Sequence, residues 1–439
     1  MVRAEDTDEE PALRLGVELG RFIFAAASAC MLIAVSVAPA LAGPHESAAS
    51  DVYSRLRPEY DPNGIRMSSL TLYPTLSSGG GLNSNVFNAP VGTQDYFYST
   101  DVGLQVKSDW SRHEFSLDAQ TQSVWYSNQV TENRNDWSLD SSVTLDLLRG
   151  TQLRLDGAIA TEHEARGMSH AGGALTGDAS APTEFSRNAG GLEFEHRFNR
   201  LKLNVGGTWQ NLDYVDGEEI GTALEINNDD RDRTEMRYFG KASLEVWSDT
   251  AVFARAAMTD IAYAEALDDL GLQRDASELK IDGGFDFSLT HVLTGEIAAG
   301  LATRSYQDPS LTETAGASVD IRLKWFPTML TNVTLDGGRS IEETTVDGAA
   351  SLVSTRGEVR VDHELLRNLI FSGSMGYENQ EFTGGLRNDD ILRGAVSGRY
   401  MINNNIHLDA GWEFVDRTSS DVPFSYSASQ FQFSLTGKM

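Results

Sequence analysis

Four stretches of the chain carry residue types able to do chemistry. "HEARGMSH" (163–170) holds His163 and His170 in one polar segment. A catalytic zinc site built on a helix needs its two histidines four residues apart on one face. This spacing does not fit, and the segment has no helical periodicity. "SGSMG" (372–376) comes near a nucleophile elbow but lies in an alternating run, not in a strand-to-helix turn. "SSGGGLN" (77–83) is glycine-rich, yet no Lys-Ser/Thr and no helix follow to cradle a phosphate. "NNDDRDRTE" (227–235) offers the carboxylate oxygens that Ca²⁺ prefers, but lacks the glycine and the terminal spacing of an EF-hand loop. A solvated acidic loop accounts for it better than a Ca²⁺ site does. These stretches give no catalytic residue, no cofactor and no resident metal, and the sequence reads as that of a non-enzyme.

The chemistry that remains is that of a polar wall. Charged residues recur at every second position opposite apolar ones. Glu193, Glu195, Arg197, Glu296, Asp336, Arg356, Glu358, Arg360, Asp362, Arg399 and Asp409 are the candidates to line a pore. Such residues would tune the passage of polar solutes through a wide barrel. They could also simply pair with one another.

The elements that would position them are β-hairpins. In "DSSVTLDLLRGTQLRLDGAIA" (140–160), Val143, Leu145 and Leu147 alternate with Thr144 and Asp146, and the pattern resumes after Arg149-Gly150. Period two across a short turn is a hairpin. Comparable turns stand at 107–112, 148–151, 198–201, 247–250, 289–292, 326–329, 366–369 and 402–405. Longer polar segments lie between them, including 161–184, 213–233 and 264–277, so short and long connections alternate strictly. Eighteen runs can be counted, from near Met67–Leu76 to Ser427–Met439. The prediction is all-β: a transmembrane antiparallel up-and-down barrel of about 16–18 strands, with short periplasmic turns and long outer loops. A solenoid or propeller also repeats at this length, but each unit here has two long strands and not four short ones.

A soluble sandwich would alternate in the same way, so the aromatic residues weigh in. Trp247, Trp325 and Tyr400 stand beside short turns. Trp125, Trp137, Trp209, Tyr263, Tyr377 and Trp412 stand at the far ends of their runs. Two aromatic levels with aliphatic residues between them are what two membrane interfaces select. Val143, Leu145, Leu153 and Ile159 are then expected to face lipid. So are Leu293, Gly295, Ile297, Ala299 and Leu301, with Glu296 on the lumen side, where reversal of its charge should cost little stability.

Residues 1–42 read as a signal peptide: an apolar run after Arg21 ends in Ala40-Leu41-Ala42, with cleavage expected before Gly43. Residues 43–65, polar and broken by proline, read as a periplasmic segment, and 66–439 as the barrel. The sole cysteine, Cys30, lies in the apolar run, which leaves no thiol for catalysis or disulfides. The net charge of −29 excludes nucleic acid as a partner.

"RPEYDPNGIRMSSLTLYPTL" (57–76) and "NSNVF" (83–87) resemble the entry region of the outer-membrane β-barrel porin type 2 family of Gram-negative proteobacteria. Arg57, Pro58, Tyr60, Asp61, Gly64, Ile65, Arg66, Pro74, Asn85 and Phe87 carry the match. The resemblance implies a cell outer membrane location. It also implies a pore for polar solutes or for exopolysaccharide export, in which periplasmic polysaccharide export proteins would be partners. Outer-membrane lipid, lipopolysaccharide and the barrel assembly machinery are the other expected partners. The other reading is a non-conducting scaffold or adhesion barrel acting through the 161–184 and 213–233 loops. One departure from the usual barrel pattern is the ending Lys438-Met439 in place of a terminal aromatic residue, although Phe431 and Phe433 keep the strand pattern.

Overall fold

The computed structural model describes residues 51–439 except 165, 167–178, 220–223, 290–291, 345, 347 and 386. The expected signal peptide, its cleavage site, Cys30, His170 and much of the 161–184 segment lie outside the described residues.

Eighteen long strands form one antiparallel sheet that closes on itself. The first six are β1 (Leu70–Asn83), β2 (Asp95–Ser108), β3 (Glu114–Tyr126), β4 (Arg134–Leu148), β5 (Thr151–His163) and β6 (Glu184–Phe198). The next six are β7 (Leu201–Tyr214), β8 (Arg233–Trp247), β9 (Thr250–Tyr263), β10 (Ala276–Leu289), β11 (Leu293–Tyr306) and β12 (Thr314–Thr328). The circuit ends with β13 (Thr331–Glu342), β14 (Ser351–Leu366), β15 (Leu369–Thr383), β16 (Asn388–Met401), β17 (Ile406–Ser419) and β18 (Tyr426–Lys438). Consecutive strands pair throughout. The circle is completed by β1 on β18, from Thr75 opposite Lys438 to Asn83 opposite Gln430.

Short turns at one end fix the register. Gly150, Asn199 and Asp249 take positive φ of 74°, 53° and 59°. Glycine, asparagine and aspartate bear this conformation at least cost, which is why these turns stand out in the sequence. Register shifts sit just before four of these turns, between Asp146 and Leu148, Glu245 and Trp247, Trp325 and Thr328, and Glu364 and Leu366. Each extra residue lets the chain reverse without splaying the strands. The alternation of connection lengths is not strict to the end: 384–387, on the long-loop side, is no longer than the turn at 402–405.

The two faces of the sheet differ as the alternation demands. Val205, Phe285, Ile297 and Leu301 are exposed on the outside. Asn204, Lys241, Arg255, Asp282 and Asp362 are buried on the inside. Trp125, Trp137, Trp209, Tyr377 and Trp412 also face outward, as do Trp247, Trp325 and Tyr400 at the other level. Tyr263 does not join them. It turns inward, and its hydroxyl donates to Glu343 at 2.6 Å. Its strand is apolar on both sides, so alternation could not assign its face.

Candidate functional site: the charged lumen

The inward face holds the chemistry, and it is built in two unlike halves. On β2–β5 four carboxylates are held by neutral side chains, while Asp136 and Asp156 pair with Arg134 and Arg154. Gln122 Nε2 donates to Asp101 and Gln105 Nε2 to Asp118, both at 2.6 Å. Ser138 donates to Asp140 at 3.2 Å, and Gln152 Nε2 to Asp146 at 2.7 Å. Among the described residues, none of these four carboxylates has an ammonium or guanidinium group within ion-pair distance. An amide donor steadies a carboxylate but leaves its charge in place.

Across β8–β12, cations gather the carboxylates. Arg255 grips Asp282 with Nε at 2.9 Å, and also reaches Glu296 at 3.2 Å and Asp320 at 3.4 Å. Lys241 Nζ lies 2.6 Å from Glu296. The Arg255 and Asp282 side chains are only 4% and 1% exposed, so the centre of this network is dry, while Glu296 and Asp320 at its edge keep some contact with solvent. Charges taken out of water at such sites must be paired and hydrogen-bonded. Glu296 is therefore not a free lumen charge whose reversal costs little: an arginine there would face two existing cations. Arg255 had no signal in the sequence, because "TAVFARAAMTD" shows apolar residues on both faces.

The candidates read from the sequence all fall on the inward face. Glu296, Arg322, Asp336 and Glu358 lie on one cross-strand row of β11–β14. Asp336 and Glu358 are directly opposite each other, and neither has a cation in contact among the described residues. Arg356 reaches back to Glu342 at 3.3 Å. Arg360 pairs with Asp362 at 3.0 Å and Arg399 with Asp409 at 2.7 Å. Glu193 and Glu195 are distant from that row. They share the amide of Asn204, at 2.6 and 3.0 Å, while Lys202 stands 3.6 Å from Glu195. Arg197 is exposed at the end of β6.

The short-turn mouth holds a feature that sequence reasoning missed. Residues 51–61 fold back inside the barrel against β12–β16. The Val52 N–H donates to Asn332 Oδ1 at 2.9 Å, and Val52 packs with Ile370 and Met401. Tyr53 bonds Ser372 through its hydroxyl at 2.9 Å, and its ring lies 5.4 Å from the Arg399 guanidinium. Arg57, 2% exposed, donates to the Val52 carbonyl at 2.6 Å and to Glu364 at 2.7 Å. Gly64 then turns the chain with φ of 70°, at a place where a Cβ would strike Thr71 and Tyr73. Ile65–Met67 pairs with Leu70–Leu72, continuing the seam beyond the end of β18. The polar, proline-broken sequence of 51–61 gives no local sign of this docking, because every partner is far along the chain. The conspicuous residues Arg57, Tyr60, Asp61 and Gly64 are its only trace.

At the other mouth, buried arginines tie the long connections together. Arg274 bonds Asp268 at 2.6 Å and the Thr344 carbonyl at 2.8 Å. Arg231 pairs with Glu164 and lies 4.0 Å above the Tyr214 ring. The acidic stretch 227–235 is thus partly engaged in holding loops. Among the described residues, no group of three or more His, Cys, Asp or Glu could hold a metal ion. "SSGGGLN" is the upper half of β1 at the seam, where a Cβ on Gly79 or Gly81 would run into the β18 backbone.

No curated protein matches the chain. Among solved structures, a mutant of the ferric enterobactin receptor of Pseudomonas aeruginosa aligns at 7% identity over 84% of this chain and 80% of that one, with a TM-score of 0.43. OpdL of the same organism aligns at 11% identity over 85% and 99%, also with a TM-score of 0.43. The siderophore receptor PirA of Acinetobacter baumannii aligns at 7% over 84% and 80%, again at 0.43. The model of the family described as "Putative beta-barrel porin 2" matches residues 57–439, from the buried arginine of the docked segment through the closing strand. The chain belongs to that family.

Proposed function

We propose that this protein is a non-catalytic pore of the cell outer membrane that passes polar solutes. The observation that carries the reading is the contrast between the faces: a continuous apolar exterior around a wall of charged side chains. A barrel of this strand number encloses water, and such a wall presents donors and acceptors along it. Residues 1–42 would direct export and be removed, and 51–61 would then sit in the periplasmic mouth. The barrel assembly machinery would insert the chain among lipid and lipopolysaccharide. Export of an exopolysaccharide with periplasmic partners is a narrower form of the same proposal, supported by the width of the barrel and by family resemblance.

Purified protein in a planar bilayer should give discrete conductance steps. An open barrel that inserts and stays silent would defeat the pore reading and favour a scaffold acting through its loops. The docked segment supplies a second check. Arg57→Ala leaves Glu364 without its best-buried partner. We expect the 51–61 segment to become cleavable by trypsin at Arg55 while the barrel stays folded. Unchanged resistance would mean that Arg57 does not hold the segment.

A further inference from the structure

On the outside of β3–β5, just beyond the aliphatic belt, the outward face changes character. Above Leu139 and Ile159 the outward positions become Trp137, Asn135 and Thr161, with Ser123 and Trp125 beside them. Small polar side chains here leave a hollow between two indoles, a cleft of about 710 Å³. Trp125 and Trp137 are 44% and 41% exposed. Trp125 is steadied from behind by Tyr98, whose ring lies 5.6 Å away at 24°. On the floor, Ser123 donates to the Asn135 side-chain oxygen at 2.6 Å.

We propose that this cleft binds the neutral sugar headgroup of a membrane glycolipid. Indole faces cover the apolar face of a pyranose ring, while serine, threonine and asparagine meet its hydroxyls. The rim tells against a phosphate. Arg134 is 3.6 Å from Asp136, and His163 stands between Asp136 at 2.7 Å and Glu184 at 3.5 Å. With Asp136 and Glu184 beside Arg134 and His163, the cleft has no excess positive charge to offer an anion, whereas the Glu184 carboxylate on its lining accepts bonds from hydroxyls. Placement selects the lipid-linked source. The cleft opens on the outside of the barrel, away from the lumen, directly above the belt where acyl chains would end. The inference rests on the membrane reading above.

The test is native mass spectrometry of the full folded chain in a polyoxyethylene detergent. The probes are digalactosyl diacylglycerol, phosphatidylglycerol of matched chains, and the free disaccharide. The parent should retain one glycolipid, at least tenfold more strongly than phosphatidylglycerol and a hundredfold more strongly than the free sugar. Trp125→Ala with Trp137→Ala should weaken retention at least tenfold. Ser123→Leu with Thr161→Leu, which fills the floor and keeps both indoles, should do the same in a chain that still shows the gel mobility of a folded barrel. Equal retention by both variants, or equal retention of phosphatidylglycerol, overturns the proposal. Free disaccharide bound as tightly as the lipid would mean a soluble-glycan site and overturn it too. Insertion of the parent into phosphatidylcholine vesicles is scored separately. Failure there removes the membrane reading itself, whereas insertion without glycolipid preference removes only this inference.

Discussion

The wall of β2–β5 and the wall of β8–β12 have the same backbone geometry and both carry rows of carboxylates, yet most of those carboxylates are held differently. On the first, Asp101, Asp118 and Asp146 are held by glutamine amides and Asp140 by a serine. On the second, Asp282, Glu296 and Asp320 converge on Arg255. The amide-held carboxylates keep their charge available to the lumen. The guanidinium-held wall neutralises its charge internally and becomes a brace. One barrel thus holds two kinds of carboxylate, one steadied by neutral donors and one locked to a cation.

The largest effect should come from breaking the brace. Glu296→Arg places a third cation beside Lys241 and Arg255, and should cost roughly 3–5 kcal/mol, the range for removing one partner of a buried pair. Urea unfolding from lipid vesicles would measure it; a loss under about 1 kcal/mol would show that the network is solvated and the contrast false. On the same strand, Ile297→Arg puts a charge on the outward face and should cost about 2–4 kcal/mol if that face meets hydrocarbon. A negligible change would mean that β11 never touches lipid.

Changes to the amide-held wall should be milder for stability and sharper for selectivity. The triple variant Asp101→Asn, Asp118→Asn and Asp140→Asn should stay within about 0.5 kcal/mol per site, as for exposed substitutions. Reversal potentials in a salt gradient should show a cation preference that the triple variant loses. Gln105→Arg, which would supply Asp118 with the counter-cation it lacks, should reduce that preference in the same direction. Selectivity that ignores both changes would place the ion path along the other wall.

The smallest effect lies outside the barrel wall. Burial, reinforced by the neighbouring Asp269 carboxylate, pushes Asp230 up to about 6 from an ordinary 3.8. A carboxyl raised in the folded state keeps its proton while the unfolded one has lost it. Stability of that contact should therefore fall as pH rises from about 4 to about 6, then level off. The contact includes Asn227 bonding Asp269 at 2.9 Å. Hydrogen exchange in 224–232, corrected for intrinsic rate, should be faster near neutral pH than at a pH of about 4.5. Asp230→Asn should remove the difference; if the difference persists, another group is responsible.

How much of this was legible in the sequence depended on range. β10, "ASELKIDGGFDFSL", alternates cleanly, and both its faces could be read from sequence alone. β9 is apolar on both faces, so neither Arg255 nor inward Tyr263 could be placed. The short turns were visible because residues such as Gly150, Asn199 and Asp249 report positive φ locally. The lumen candidates could be assigned to a face, but not to partners. Pairing across neighbouring strands needs register, and contacts such as Arg255 with Asp320 skip strands altogether. The docked 51–61 segment was invisible for the same reason, since its contacts depend on a closed barrel.

The seam between β1 and β18 carries a consequence for how the molecule forms. Every other strand pair joins neighbours in the chain and can form early. The pairing of Thr75 with Lys438 joins residues at nearly opposite ends of the described chain. The entropy of bringing them together is lost before any contact offsets it, so closure belongs at the end of folding. Until then, β1 and β18 are two open edges, each presenting unpaired amides and carbonyls to any other strand nearby. The glycines at 79–81 let the backbones come close, and Ile65–Met67 covers the stretch of β1 that β18 does not reach. The same junction that removes every edge from the finished barrel is, during assembly, its most exposed point.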